Sequence, residues 1–368
     1  MITTYEGDTM KKRYYRLTKI LSYNAHYNIL LGMRSNGKSY AVKEFVLLNA
    51  YHGKGKFIYM RRYREDVKTN DVISYFSDMP IESITQGKYQ GVTCYQGVLY
   101  FCNYTDEFRA VKGEEIGRVV YLSGMEHFKS QAFPDITDVI FEEFVTKRLY
   151  LRDEPNTLQN FISTIARDRN IRVWMVANTI SRVCPYFEEW ALKNIPRQKQ
   201  GTIDTYKYDR HAEDGTVYTT VVAVENCENA GTSSNMFFGN VAKSITGGQW
   251  EVEEVPHLPV DEEGRELPYE CLYEIHLSDM GFQFVMQLCC NDDGGMWIYV
   301  YPYTKTKRIL RHITSEFSTD PFYSVGLMDK IPAEAKMREL LKEQKICYSD
   351  NLTGSDFNSV IQNRGGTL

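Results

Sequence analysis

The chain has 368 residues, 43% of them apolar, enough for two or three domains each with its own core. A net charge of −5, from 43 basic and 48 acidic residues, argues against a surface coated in positive charge for nucleic acid, although a channel lined locally remains compatible with it. No signal-peptide stretch precedes the first predicted element and no apolar run could cross a bilayer, so a cytoplasmic protein without membrane contact is expected. The eight cysteines contain no C-x-x-C pair, which indicates neither a zinc site nor a disulfide framework.

The first predicted strand, residues 28–31, runs into GMRSNGKS at 32–39, a complete G-x-x-x-x-G-K-[ST] phosphate-binding loop, and a helix follows over 40–51. Backbone N–H groups of such a loop and the positive end of the helix dipole converge on phosphates. The expected nucleotide-binding set is therefore Gly32, Arg34, Asn36, Gly37, Lys38, Ser39 and Tyr40. Lys38 reaches the β- and γ-phosphates of ATP, the Ser39 hydroxyl ligates Mg²⁺, and Arg34 is a candidate charge in cis.

A second apolar strand, 57–60, ends at Arg61 and Arg62, and a helix is predicted over 65–79. A hairpin is expected over 92–104 around Gln96 and Gly97, then a short strand at 119–122. Residues 138–141 form a buried strand that ends in Glu142 and Glu143. Hydrolysis of a γ-phosphate needs an acid that organises the metal and one that orients the attacking water; Glu142 is assigned to Mg²⁺ and Glu143 to the water. A helix over 156–166, capped by Asn156, leads to Arg167 and Arg169 and then to a strand at 173–177 that ends on Asn178, a residue placed to sense the γ-phosphate. Strands at 202–209 and 217–224 complete an α/β unit whose alternating elements predict a mostly parallel sheet.

The texture then changes. Residues 229–268 are rich in glycine, serine, proline and acids and are expected to form a small linker subdomain. Strands at 272–276, 282–289 and 296–301 and a helix at 333–345 predict a β-rich α+β domain over 269–345, with a flexible tail over 346–368 and the first domain over 1–228. The basic clusters at 11–13, 61–64 and 305–311 are candidate nucleic-acid contacts.

Taken together, GMRSNGKSYAVK, FIYMRRYRED, ITDVIFEEF and the run TIARDRNIRVWMVANTISRVCPYF from Thr164 resemble the DNA-packaging ATPases, or encapsidation proteins, of phi29-type phages. The resemblance covers most of residues 15–190. It implies an additional-strand, catalytic-glutamate (ASCE) P-loop ATPase that works as a homomeric ring, a pentamer, on the portal of an empty procapsid and threads double-stranded DNA. It further implies that Lys38 and Ser39 serve the phosphates and metal, that Glu143 is the catalytic glutamate, that Arg167 is a trans-acting finger with Arg169 as its alternative, and that Arg64 and Lys129 act across the subunit boundary or on DNA. The last domain would resemble a ribonuclease H-like fold without nuclease activity, in contact with the portal, DNA or a structural packaging RNA. The setting would be the host cytoplasm. Two alternatives stand beside it: a large-terminase-like ATPase with an active nuclease, and a nucleotide-gated assembly protein without turnover.

Overall fold

In a computed structural model the described residues are 15–128, 131–167, 169–228, 250–304, 309–316, 318–365 and 368. The chain divides into two units, the first made of residues 1–145, 151–179 and 194–249, the second of 146–150, 180–193 and 250–368.

Among the described residues the first unit is built on nine strands: β1 (Tyr27–Gly32), β2 (Lys56–Arg61), β3 (Gly91–Tyr95), β4 (Val98–Tyr104), β5 (Ala110–Tyr121), β6 (Ile136–Glu142), β7 (Arg172–Asn178), β8 (Thr202–His211) and β9 (Val217–Asn226). Their spatial order is β3-β4-β5-β2-β6-β7-β1-β9-β8. The six strands from β5 to β9 run parallel, and antiparallel partners close each edge. Central strands of a parallel sheet are covered on both faces and become continuously apolar. Accordingly Ile29 to Leu31, Val139 to Phe141 and Val173 to Val176 are all buried. Two buried acids break the apolar run of β6: Glu142 at its end, and Asp138, which accepts from Trp174 Nε1 (2.9 Å) and Arg172 Nε (2.9 Å).

The structure places β7 between the phosphate-loop strand β1 and the acidic strand β6. That inserted strand is the feature expected of an ASCE unit. Several local expectations shift. The 65–79 helix begins instead as a 3₁₀ turn at Arg64–Val67, passes through an extended Lys68 (φ −60°, ψ 146°), and becomes helical only at Thr69–Phe76. Thr69, Asn70 and Asp71 are residues that favour a helix start over an interior. The 119–122 strand is the end of the longer β5. The later helix spans Glu154–Ala166 with Asp153 as its N-cap, because Pro155 is pre-set for the first turn. Asn156 is therefore not the cap; its Nδ2 donates to Asp153 Oδ1 at 2.7 Å.

The second unit holds a six-stranded sheet of β10 (Glu270–Asp279), β11 (Phe282–Cys290), β12 (Met296–Pro302), β13 (His312–Thr314), β14 (Tyr323–Ser324) and β15 (Ile346–Tyr348), in the order β14-β13-β10-β11-β12-β15. An antiparallel meander β10-β11-β12 is flanked by β13 and β14, parallel to β10 and to one another. Helices Pro332–Lys342 and Asn351–Asn363 pack Met337, Leu340, Phe357 and Val360 into its core. Two expectations need correcting here. Most of the proposed tail is ordered structure, since Tyr348 and Phe357 are too apolar to leave in water. Of the 229–268 linker, residues 229–249 lie outside the described residues, whereas 250–268 belong to the second unit and carry an isolated Val260–Glu266 bridge.

Candidate nucleotide site

Parallel strands deliver their C-terminal ends to one edge, and Gly32, Glu142 and Asn178 all arrive there. Gly32 is in register with Asn178, and Glu142 is in register with Val176 two residues earlier on the same strand. The loop after β1 depends on glycine at both ends. Gly37 has φ 93°, in the left-handed region, while a Cβ on Gly32 would lie 3.1 Å from Asn36 Nδ2 and 3.3 Å from Cys227 Cβ.

Lys38 is buried, and its ammonium donates to the Met33 carbonyl (2.6 Å), to Asn36 Oδ1 (3.2 Å) and, more weakly, to Asn178 Oδ1 (3.5 Å). Burial lowers its pKa from the usual 10.5 to about 8. Asn36 Nδ2 is buried with no partner among the described residues. A buried donor left unsatisfied in the phosphate loop is what an entering phosphate oxygen would relieve. Arg34 is exposed in the loop and Tyr40 half-buried in the helix Lys38–Tyr51.

Glu142 is buried, accepts from Tyr75 OH (2.7 Å) and is hydrogen-bonded by Ser39. Burial raises its pKa, and those two hydrogen bonds oppose the rise. The Ser39 hydroxyl beside this carboxylate offers hard oxygen donors of the kind Mg²⁺ takes. Glu143 differs. Its backbone is left-handed (φ 55°), its N–H donates to Val176 O of β7 (2.8 Å), and its largely exposed carboxylate pairs with Arg61 Nη2 at 2.5 Å. Thus the acid assigned to the water is engaged by an arginine from the end of β2.

The remaining candidates lie elsewhere. Arg167 follows the last turn of the Glu154–Ala166 helix and is exposed, before β7 starts and so at the opposite edge of the sheet, roughly 20 Å from the loop by strand length. Arg169 donates to the carbonyls of Pro134, Phe133 (2.6 Å), Ile136 (3.3 Å) and Ile165 (2.8 Å), so its guanidinium is occupied in tying the start of β6 to the helix end. Arg64 is exposed and lines, with Lys68, Arg118 and Phe133, a cavity of about 680 Å³ away from the phosphate loop. Lys129 and the basic residues at 11–13 and 305–308 lie outside the described residues. Sequence reasoning missed Tyr75, Arg61 in its pairing with Glu143, and the buried Arg62–Glu154 pair (2.8 Å). Read along the chain, Arg61 and Arg62 look like one basic patch; only the fold shows the first facing an acid of the site and the second buried.

A family model described as "Podovirus DNA encapsidation protein (Gp16)" matches residues 9–199, just over half the chain. The DNA packaging protein of Bacillus phage phi29 is 29% identical over 188 residues, covering 48% of this chain and 50% of the relative. That of Bacillus phage B103 is 32% identical over 178 residues, covering 47% and 50%. The chain thus spans about half the length of the relatives it matches. A solved structure of the bacteriophage Phi-29 viral genome packaging motor assembly shares the fold over 95% of this chain and 99% of its own, at 17% identity and a TM-score of 0.55. The Phi-28 gp11 DNA packaging motor does so over 96% and 98%, at 16% identity and a TM-score of 0.50. By its match to the family model, the chain belongs to the Podovirus DNA encapsidation protein (Gp16) family.

Proposed function

We propose that this chain hydrolyses ATP and uses the free energy to move double-stranded DNA into a procapsid, working as a homomeric ring, a pentamer, against the portal in the host cytoplasm. One observation carries the catalytic part: the buried Lys38 and the Ser39–Glu142 pair share a sheet edge with Glu143. In this proposal Lys38 holds the β- and γ-phosphates, Asn36 and the loop amides hold phosphate oxygens, and Asn178 reports whether the γ-phosphate is present. Mg²⁺, held by Ser39 and Glu142, supplies charge neutralisation at the phosphates. Glu143 orients the attacking water once its carboxylate leaves Arg61.

Arg167 completes the site of the next subunit. Its place at the far edge supports action in trans, because a side chain roughly 20 Å away cannot reach the phosphates of its own chain. Arg64 and Lys129 are proposed to act at the subunit boundary or on DNA. The ribonuclease H-like unit is proposed to cut nothing, and to meet the portal, the DNA or a structural packaging RNA. What supports the lack of cleavage is that β10 and β13 present His276 and His312 to each other (Nδ1 to Nδ1, 2.9 Å), while Asp292 and Asp293 are exposed in the β11–β12 turn.

The test is ATPase activity measured with and without procapsid and double-stranded DNA, in the wild type and in Glu143→Gln. The proposal expects strong stimulation by the two together, and a variant that binds ATP but does not turn it over. Unstimulated turnover, or packaging by Glu143→Gln at the wild-type rate, would discard it.

A further inference from the structure

We propose that Arg62 is a positioning residue for Glu143, acting through the backbone by way of a buried clamp with Glu154. The inference rests on the proposed role of Glu143 in hydrolysis and adds the device that fixes where its carboxylate can swing.

The geometry begins with strain. Glu143 is a non-glycine residue at φ 55°, a conformation that persists only where its surroundings dictate it. Its N–H is fixed to Val176 O on β7. Its carbonyl accepts from Arg62 Nη1 (3.2 Å), and the next carbonyl, that of Phe144, accepts from Arg62 Nη2 (2.6 Å). Both peptide groups flanking the Glu143 Cα are therefore pinned. The guanidinium is in turn locked by a two-point pair, Nε to Glu154 Oε2 (2.8 Å) and Nη2 to Glu154 Oε1 (2.9 Å). Glu154 is itself held by the Leu151 N–H (2.9 Å) at the first position of its helix.

Arg62 is 4% exposed and Glu154 is 0% exposed. Burying such a pair is expensive, and apolar residues of the same volume commonly stabilise a fold as well or better. The pair therefore supplies something apolar side chains would not: a rigid planar fork whose donors reach two successive carbonyls while it is anchored on a carboxylate. Lysine, with a single flexible ammonium, cannot make that set at once. With the backbone fixed, side-chain rotation alone carries the Glu143 carboxylate between Arg61 and the phosphates.

The experiment uses the full chain and three variants, Arg62→Met/Glu154→Leu, Arg62→Lys and Glu143→Gln. For each, the thermal midpoint, the affinity for a fluorescent ATP analogue with Mg²⁺, and kcat and KM for ATP are measured. Positioning predicts that the apolar double variant stays folded, with a midpoint lowered only by the lost backbone bonds to Glu143, Phe144 and Leu151, and binds the analogue within about twofold, while kcat falls at least tenfold at nearly constant KM. Turnover within twofold of wild type overturns the proposal, as does a loss in which midpoint, affinity, KM and kcat all move together. If the double variant fails to fold, Arg62→Lys gives the same split. Glu143→Gln separates the two levels: a wild-type rate in that variant removes the role of Glu143 itself, whereas an inactive Glu143→Gln beside a fast clamp variant removes only the clamp.

Discussion

Lys38 shows how the site uses burial. Its ammonium donates to the Met33 carbonyl but is kept from water, and that burial lowers its pKa to about 8. Bound phosphates favour the charged form, so the pKa in the complex lies above that of the empty site, and binding takes up a proton wherever the empty site has lost one. The sign follows: ATP affinity should be flat below about pH 8 and fall by up to tenfold per pH unit above it. Titrations from pH 7 to 9.5 in buffers of different ionisation enthalpy would show that proton uptake; an affinity independent of pH up to 9.5 would contradict the assignment. Such a residue was legible in the sequence because glycine spacing fixes it. Arg61 and Arg62 were not, since whether an arginine is a surface charge, a partner for Glu143 or half of a buried pair depends on Glu154, which is 92 residues away from Arg62.

At the scale of elements, the strands that frame the site were read correctly from their apolar runs, because a central parallel strand has no solvent-facing side to blur the pattern. Helix boundaries were harder. Asp153 enters its helix through a left-handed backbone that no local composition announces, and the residue chosen as cap, Asn156, contacts the true one instead. The C-terminal helix was missed in what looked like a tail, although its cap has an ordinary signature: the Asp350 carboxylate accepts from the Thr353 N–H at 2.8 Å. Asp350→Ala should cost about 1 kcal/mol, read as a lower denaturant midpoint of the second unit, with ATP binding unchanged. No loss of stability would mean that this helix is held by Phe357 and Val360 alone.

For the whole molecule, a ring built from one kind of subunit needs two different faces that meet head to tail. The proposed site supplies the asymmetry, with phosphate-binding groups at one edge of the sheet and Arg167 at the other. Arg167→Ala should leave the affinity for ATP in isolated chains unaltered and lower turnover in the assembled ring by 10³-fold or more, the scale of an arginine finger. Mixed rings would show each variant subunit silencing its neighbour's site rather than its own; near-normal turnover would disqualify Arg167.

The Glu154–Ala166 helix joins these two faces. Its first residue is clamped to the segment bearing Glu143, its last precedes Arg167, and its thirteen residues span about 20 Å. A rod of that length amplifies tilt: a pivot of only 5° at the acid end displaces the far tip by nearly 2 Å, the difference between touching a phosphate and missing it. In the proposed ring, each subunit's own catalytic state would thereby be broadcast mechanically to the next, and firing order around the circle would follow from one stiff lever.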